Sequence, residues 1–467
     1  MSLLEWKGDL MLTVLATLLI ALTGSLLQPD TEAAELLAKA ERAAERVNFI
    51  AADNYYRKIL KEAPESEEAL VARERLEENT LLYTRPVEVH GPHENRIDVF
   101  VLAEGFLRKD QKAFLTQAEV TARLFFQVPV FERYRKYFNF YAMHIASKEE
   151  GVDRGERDVD TALGAHQSRW SQGQVSVDHD AVRSYLSKDA RNDRLAIVIV
   201  RRGTLGTGGG GVAVVGGSAS DTIIHEWGHA FGLLHDEYTS DVGYTGEAPS
   251  GFNISNTKDR EKVPWKHWLE AREKSVTIIQ GGAGRATGVW RSTGKPCAMA
   301  RGSSFCVVCR EALVASIYGI VSPLDEVRPE QEEVAIGPKE SCHFQVVPME
   351  VSSKPYLSVE FFLEPPPAVE DDRPEGRRDA KRSRILQLRP RWAKQEEPPP
   401  RGTSIKPKRI KLGDKRTAWQ VTLASKALEP GHYRLHARVT DPTPWLIKEE
   451  WLPCLSESHS WLVRIHE

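Results

Sequence analysis

The sequence lacks an excess of either charge. Its 467 residues carry 63 Lys and Arg against 66 Asp and Glu, which gives a net charge of −3. Proteins that bind nucleic acid usually carry a basic field that attracts phosphates. We therefore expect no nucleic-acid partner. The length allows about two to four domains with at least one sizeable core.

Cysteine is also scarce, with five in the chain, and the single CxxC pair consists of Cys306 and Cys309. A zinc ribbon needs a second CxxC, so a structural zinc site of that kind is not expected. In an exported protein the cysteines can form disulfides, and the odd number leaves one unpaired. We expect one bridge within residues 297–309 and one between Cys342 and Cys454, although spacing alone does not fix the connectivity.

Glycine, in contrast, is concentrated in one segment, GTLGTGGGGVAVVGG at residues 203–217. The segment has neither the GK[ST] ending of a P-loop nor the GxGxxG spacing of a dinucleotide site, which excludes phosphate binding as its main role. Its last residues have the pattern of a strand. We expect a tight turn that leads into a strand beside the active-site helix, where a substrate backbone can approach closely.

The amino terminus carries an uninterrupted run of low polarity from Leu10 to Leu27, preceded by Lys7. Residues 1–27 are predicted to be a signal peptide, with an uncleaved anchor that tethers the protein to a membrane as the alternative. Either form places the body of the protein outside the cytoplasm, as a secreted, periplasmic or cell-surface protein. The oligomeric state cannot be read from the sequence.

Three further regions follow, and together they predict a multi-domain protein. Residues 28–85 have helical spacing and resemble about one and a half tetratricopeptide (TPR-like) units. Residues 86–330 alternate buried strands with helices, which indicates an α/β domain. Residues 331–467 alternate with period two and predict a β-sandwich, interrupted at about 364–412 by a charged, Pro-containing insertion.

The segment SDTIIHEWGHAFGLLHDEY, residues 220–238, contains an HExxH motif. On a helix, His225 and His229 share one face, opposite an apolar face made of Ile223, Trp227, Phe231 and Leu234. Two histidines four residues apart are a common pair of Zn²⁺ ligands, and the intervening Glu226 is placed to act as the general base. The motif therefore predicts a zinc hydrolase.

The third zinc ligand has two candidates. Gly232 follows His229 by three residues, where a left-handed turn can end the helix and return the chain to the metal. His235 then completes HExxHxxGxxH, the metzincin spacing, whereas Asp236 is its neighbour and offers a carboxylate. Spacing alone favours His235.

The segment HEWGHAFGLLHDEY resembles the zinc helix of the clostridial-type IgA metallo-endopeptidase family. Other segments resemble that family in the same order, and the likeness extends over residues of about 90 to 320. They are NRIDVFVLAEGF (95–106), YRKYFNFYAMHIASKEEGVD (134–153), LAIVIV with the glycine segment, VPWKHWLE (263–270) and GVWRSTGKPCAMARGSSFCVVCREAL (288–313).

The resemblance implies a secreted zinc peptidase with a metzincin-like catalytic domain. It also implies that Asp236, within the Asp-Glu-Tyr triplet, is the third ligand, with His235 as the alternative. Glu237 and Tyr238 are expected to support the site structurally, and Met299 is the candidate for the methionine turn beneath the metal. The family name does not give the substrate.

We therefore expect an exported zinc metallo-endopeptidase that acts on a protein or peptide substrate. The alternative from another class is a cell-surface binding or scaffold protein with a vestigial peptidase domain, and a zinc hydrolase of non-peptide amides is a third. His144 and His267 are expected to be packing residues, and Asn253 begins an N-x-S triplet that matters only if the host glycosylates.

Overall fold

The computed structural model describes residues 31–46, 48–77, 80–155, 157–167, 173–189, 194–216, 220–240, 246–365 and 402–467. Residues 1–27 and most of the predicted insertion lie outside these ranges. The described residues form a mixed α/β structure with five sheets. None of its helices is both long and apolar enough to cross a bilayer.

The α-helices are numbered in chain order. They are α1 Thr31–Glu45, α2 Phe49–Glu62, α3 Glu67–Leu76, α4 Gln111–Phe125, α5 Pro129–Arg133, α6 His179–Leu186, α7 Ser220–Ala230, α8 Lys266–Glu270 and α9 Val307–Ile320.

The strands are numbered in the same way. Those of the first half and centre of the chain are β1 Thr80–Glu88, β2 Ile97–Glu104, β3 Phe138–Ala146, β4 His166–Gln167, β5 Val175–Ser176, β6 Leu195–Val200, β7 Thr207–Gly209, β8 Val212–Gly216, β9 Ile254–Ser255, β10 Ile279–Gly282 and β11 Arg285–Arg291. Those of the last part are β12 Leu324–Arg328, β13 Glu333–Ile336, β14 Ser341–Pro348, β15 Ser358–Glu364, β16 Thr403–Ile405, β17 Lys408–Lys411, β18 Thr417–Ala424, β19 Gly431–Thr440 and β20 Ser456–Ile465.

Helices α1 to α3 form a small helical unit with its own apolar core. Each helix turns one stripe inward, and the core includes Leu36, Tyr56 and Ile59. Side chains cap two of the helix starts. Asn48 accepts a hydrogen bond from the backbone of Ala51 at the start of α2, and Ser66 accepts one from the backbone of Ala69 at the start of α3. The unit contacts the next domain through a bidentate ion pair between Asp53 and Arg108.

A six-stranded sheet in the order β1-β3-β2-β6-β8-β7 forms the centre of the α/β domain. The strands β3, β2, β6 and β8 are mutually parallel, whereas β1 and β7 run antiparallel at the two edges. Every residue of β2, β3, β6 and β8 is buried. Burial on both faces explains why these strands read as continuous apolar runs.

Helices cover both faces of this sheet. On one face Val99 and Val101 pack in a common core with Phe125 of α4 and Trp227 of α7. The opposite face packs against α6 and the segment around β4 and β5, with Leu186 as one of its core residues. The two layers fix α7, which carries the HExxH motif, beside β8 and β7.

The last part of the chain forms a four-stranded sheet, β12-β14-β18-β17, and a five-stranded sheet, β13-β20-β19-β15-β16. Side chains of both sheets meet in one core, where the rings of Phe344 and Trp461 lie 5.3 Å apart. The alternation read from the sequence matches the buried positions of β19, where Tyr433, Leu435 and Ala437 point inward.

Three element positions differ from the expected boundaries. Strand β1 begins at Thr80 and pairs with β3, so the central sheet starts ahead of residue 86. Strand β12 pairs with β14 from Leu324, ahead of residue 331. Residues 403–411, expected to be part of the insertion, form β16 and β17, which pair with β15 and β18. Strands β12, β16 and β17 are short, so their partners, and not their own pattern, define them.

A buried polar network joins the α/β domain to the two C-terminal sheets. Asp441, 0% exposed, accepts hydrogen bonds from Arg133 at 2.8 Å and from the hydroxyls of Tyr134 and Tyr318, each at 2.7 Å. Arg133 is itself 2% exposed. Three donors therefore satisfy one buried carboxylate, as a buried charge requires.

Candidate metal centre

The helix α7 is anchored in the core by its apolar face. Trp227 is fully buried, stacks on Phe231 with ring centroids 5.2 Å apart and meets Phe125 edge-on at 5.5 Å. The opposite face carries His225 and His229, whose rings lie 4.8 Å apart and remain partly exposed. The predicted amphipathic arrangement of this segment is therefore what the structure contains.

The chain turns back sharply after α7, although not at the residue expected. The left-handed residue is Leu233, with φ of 52°, and not Gly232. Gly232 is instead needed for space, because a Cβ there would approach Leu313 to 2.8 Å and the carbonyl oxygen of Gly228 to 2.9 Å. The turn brings residue 236 back over the two histidines.

Three ligand-type atoms converge at this place. Asp236 Oδ1 lies 3.1 Å from Nε2 of His225 and 3.2 Å from Nε2 of His229, and the two Nε2 atoms are 3.2 Å apart. Nitrogen and oxygen ligands held about 2.0–2.1 Å from a tetrahedral zinc ion lie roughly 3.3 Å from one another. The spacing of the three atoms fits a zinc ion.

The other ring nitrogens are already occupied. Nδ1 of His225 lies 2.7 Å from the carbonyl oxygen of Ala298, and Nδ1 of His229 lies 2.6 Å from that of Leu234. Each Nδ1 therefore donates to a backbone carbonyl, which leaves the Nε2 lone pair directed at the common point. This second contact is typical of metal-binding histidines, because it fixes the ring and its tautomer.

The atoms His225 Nε2, His229 Nε2 and Asp236 Oδ1 form a triangle, and a cation at its centre stabilises them better than a proton does. Asp236 Oδ1 is buried and makes no hydrogen bond of acceptable geometry among the described residues, although two imidazoles lie beside it. Burial disfavours the charge of Asp236, but the neighbouring His225 and His229 outweigh it and lower the pKa of the carboxyl. A proton can bridge one pair of the three atoms, whereas a metal ion at the centre contacts all three.

His235, the alternative ligand, lies outside the triangle. Its ring packs against Gly251, where a Cβ would approach the ring Nε2 to 2.9 Å. Its backbone N–H donates to Oδ1 of Asn253 at 2.9 Å, which holds the residue in place. The structure thus brings Asp236 to the two histidines and leaves His235 beside them.

Asn253 holds the segment around Asp236 in place, a role that its N-x-S triplet does not indicate. It is fully buried, so its N-x-S triplet offers no accessible glycosylation site in the folded protein. Its Nδ2 donates to the carbonyl of His235 at 2.7 Å and to Oε1 of Glu237 at 3.0 Å. Together with the bond to the N–H of His235, these contacts fix the backbone on both sides of Asp236.

Glu226 lies between the two histidines in sequence and next to them on the helix. The side chain is 7% exposed, and burial raises its pKa against the lowering effect of His225 and His229. It packs on Gly206, where a Cβ would lie 3.0 Å from Oε1. Gly206 and Gly208 lack side chains, and this absence lets β7 and the residue ahead of it lie close to α7.

Met299 and Tyr238 support the site from two sides. Met299 is fully buried, its sulfur occupies the space above Gly228, and its carbonyl oxygen accepts the N–H of Glu237 at 2.6 Å. The ring of Tyr238 lies nearly parallel to that of His225, with centroids 6.2 Å apart. Met299 thus contacts Glu237, the neighbour of Asp236, and Tyr238 contacts His225 itself.

His144 and His267, which the sequence predicts to be packing residues, both lie in packed surroundings. His144 is fully buried on β3 between Tyr83 and Phe114, and burial lowers its pKa to about 3. His267 Nε2 lies 2.6 Å from Oε2 of the buried Glu311. Neither contributes to the triangle.

No disulfide joins any of the five cysteines, so the two expected bridges are absent from the structure. Cys297, Cys306 and Cys309 instead gather around Glu237. The CxxC pair therefore lies beside Cys297 and Glu237, which are not part of a second CxxC, so the absence of that motif did not reveal this cluster.

A mixed α/β domain in which an HExxH helix presents two histidines and a returning aspartate to one point is the arrangement of a metal-dependent hydrolase. Residues 86–278 match the model of a protein family described as IgA Peptidase M64. The match supports this family for this part of the chain and confirms the resemblance read from the motifs. No curated protein sequence matches the chain.

The match supports a peptidase of the metallopeptidase type, and a peptidase implies a protein or peptide as substrate. The matched residues contain His225, Glu226, His229 and Asp236. They end ahead of Met299 and of the three clustered cysteines.

Proposed function

We propose that the protein is an exported zinc-dependent metallo-endopeptidase. The observation that carries the proposal is the triangle of His225, His229 and Asp236, whose three facing atoms lie 3.1 to 3.2 Å apart around one point. Three protein ligands and an open fourth position are the composition of a catalytic zinc site, whereas structural sites have four protein ligands.

Each residue has a distinct role in this proposal. His225, His229 and Asp236 hold the zinc ion, which when bound would lower the pKa of a water to about 7 and polarise the peptide carbonyl. Glu226 takes up a proton at a carboxylate oxygen and returns it to the leaving amide nitrogen. Ala298 and Leu234 keep the imidazoles oriented through their carbonyl oxygens.

The strand β7 supplies a surface for an extended peptide. It lies at the edge of the central sheet, pairs with β8 on one side and packs along α7. An edge strand offers unpaired N–H and C=O groups to a further strand, and a peptide added there passes the HExxH helix. Residues 208 and 209 are glycines, so these two positions of β7 place no side chain in the path of that peptide.

Around this site we propose the layout that the sequence indicates. Apart from β1 and β12, whose pairing crosses these limits, residues 86–330 form a metzincin-like domain, residues 28–85 a TPR-like segment and residues 331–467 a β-sandwich. The shared core of α1 to α3 and the contact between Phe344 and Trp461 support the two outer assignments. The TPR-like segment has three helices, fewer than a free-standing repeat array needs, so it serves to pack on the peptidase domain.

Export is part of the proposal and rests on the apolar run from Leu10 to Leu27. This run acts as a signal peptide or as a membrane tether. Fractionation of the producing cells, followed by sequencing of the mature amino terminus, separates the two. A mature chain that begins at Met1 or Met11 in the membrane fraction contradicts cleavage, and a cytosolic protein contradicts export.

The peptidase role is tested with Glu226→Gln in the full-length protein. We expect the variant to keep its zinc and to lose hydrolysis of a quenched fluorescent peptide library by about 10² to 10⁴ fold. Glu270→Gln, at an exposed position of α8, is the matched control and should keep wild-type activity. Full activity in a zinc-loaded Glu226→Gln protein would show that the base is another group.

A further inference from the structure

A second group of metal-type ligands lies beside the first. It consists of Glu237, Cys297, Cys306 and Cys309, whose ligand atoms all lie within 4.8 Å of one another. The sulfurs of Cys297 and Cys309 are 3.7 Å apart, and Oε1 of Glu237 lies 3.0 Å from Sγ of Cys309 and 3.8 Å from Sγ of Cys306. We refer to these four residues as the cysteine cluster.

The carboxylate in the cysteine cluster is short of partners. Glu237 is 2% exposed, and its Oε2 has no hydrogen-bond partner in the part of the chain that the structure describes. Its Oε1 accepts from Asn253 and from the thiol of Cys309. A buried carboxylate with one oxygen unsatisfied is costly unless a cation lies beside it.

We propose that the cysteine cluster binds a structural zinc ion through three thiolates and one carboxylate. Two sulfurs at about 2.3 Å from a tetrahedral zinc lie about 3.8 Å apart, and a sulfur and an oxygen about 3.5 Å apart. The distance of 3.7 Å between the sulfurs of Cys297 and Cys309 agrees with the first value, and the distances of 3.0 and 3.8 Å from Glu237 Oε1 to two sulfurs lie on either side of the second. Thiolate ligands select zinc over magnesium or calcium, and four protein ligands leave no open position for catalysis.

The local backbone directs N–H groups at two of the three sulfurs. Cys306 caps the amino terminus of α9, where its Sγ lies 3.5 Å from the backbone nitrogen of Cys309. The backbone N–H of Cys306 in turn points to Sγ of Cys297 at 3.3 Å. A helix amino terminus and backbone N–H donors stabilise thiolates, which are the form that binds metal.

The cysteine cluster also joins the two segments that hold the first site. Glu237 directly follows Asp236, and Cys297 directly precedes Ala298, whose carbonyl oxygen orients His225. A zinc ion in the cysteine cluster would therefore fix the distance between the proposed third ligand and the residue behind the first histidine. This role is structural, so the inference does not depend on peptidase activity.

Metal content of the full-length protein tests the inference. We expect about two zinc ions per chain in wild type and about one in Cys309→Ser, with a thermal midpoint lowered by several degrees because metal binding contributes to folding. Cys342→Ser, outside the cysteine cluster on β14, is the matched control and should keep both ions. Loss of the same ion in Cys342→Ser, or two ions in Cys309→Ser, would overturn the assignment.

A second measurement does not require a variant of the cysteine cluster to fold. In His225→Ala/His229→Ala the proposed catalytic site is disabled, so the remaining zinc should show X-ray absorption from sulfur neighbours at about 2.3 Å. Zinc with only nitrogen and oxygen neighbours contradicts the inference, as does retention of no metal. This readout separates failure of the cysteine cluster from failure of the proposed peptidase site.

Thiol titration distinguishes zinc from a disulfide. Unfolded protein that has been treated with a chelator but not reduced should react at all five cysteines. A disulfide within the cysteine cluster would leave three reactive thiols, that is 5 − 2 = 3. Three thiols together with a single zinc ion per chain would overturn the inference.

Discussion

Asp236 and His235 are neighbours in sequence but differ in what holds them. Asp236 reaches both imidazoles, whereas His235 packs on Gly251 and is fixed by Asn253. The choice between the two depends on the path of the turn after α7. Side chains distant in sequence determine that path.

For the third ligand, we expect Asp236→Ala to weaken zinc binding at the first site by more than about 100-fold, since even outer contacts of zinc ligands contribute 10- to 100-fold. His235→Ala should change it much less. Competition with a chromogenic zinc chelator measures both affinities. A larger loss in His235→Ala than in Asp236→Ala would reverse the assignment.

His144 makes stability depend on pH. Both of its ring nitrogens lack hydrogen-bond partners among the described residues, and burial lowers its pKa from 6.5 to about 3. The unfolded chain therefore binds a proton below pH 6.5 that the folded chain excludes. Between these two pH values stability decreases as pH falls, by at most about 1.4 kcal/mol per unit.

The substitution His144→Phe removes this proton. Phe fits the aromatic surroundings of Tyr83 and Phe114, and any cost of repacking is independent of pH. We expect the thermal midpoint of the variant to gain on that of wild type as pH falls from 6.5 towards 4. Parallel midpoint curves over this range would contradict the effect of His144.

At the residue scale the sequence predicts His225, Glu226 and His229 because they belong to one helix with a fixed period. The sequence does not decide between His235 and Asp236, because the path of the turn after α7 selects the ligand and the left-handed residue of that turn is Leu233, not the expected Gly232. The sequence also does not reveal the contacts of Asn253 or the cysteine cluster. Their members are joined by tertiary contacts between segments that are far apart along the chain.

At the scale of elements, the close packing of β7 on α7 depends on glycine. A Cβ at Gly208 would overlap the carbonyl oxygen of Glu226 and approach Cβ of His229 to 2.9 Å. At Gly209, the next residue of the same strand, a Cβ would meet nothing within 4 Å. The two glycines therefore form a matched pair of positions.

We expect Gly208→Ala to displace β7 from the helix and to lower peptidase activity by about 100-fold, since small misplacements of catalytic groups have effects of this size. Gly209→Ala should keep wild-type activity. Initial rates on one peptide substrate, with midpoints from thermal unfolding, provide the comparison. Equal activities in the two variants would contradict the close packing.

Elements were predictable where burial is uniform. Strands β2, β3 and β6 have continuous apolar sequences because helices cover both faces of the sheet, and their positions follow from the sequence. The short strands β9, β16 and β17 have no such pattern. Their positions depend on a partner strand, so the sequence did not reveal them.

At the scale of the whole molecule, Asp441 joins the C-terminal sheets to the α/β domain. Arg133, Tyr134 and Tyr318 all donate to its carboxylate. A buried ion pair adds little net stability when intact. Removal of one partner leaves an unpaired buried charge, which typically costs about 3–5 kcal/mol.

Asp441→Asn should therefore destabilise the protein by about 3–5 kcal/mol, because Arg133 keeps its charge. Asp414→Asn, which affects a surface ion pair with Arg416, is the control and should leave unfolding unchanged. Denaturant unfolding followed by tryptophan fluorescence measures both. Similar midpoints in the two variants would show that the network does not hold the domains together.

The position of the cysteine cluster along the chain has a consequence for biosynthesis. All three proposed ligands of the first zinc have been made once residue 236 is added, but Ala298, which orients His225, comes later. A nascent chain therefore carries its three proposed metal ligands ahead of Ala298 and of the three cysteines, so the first site is complete only after both segments have been made.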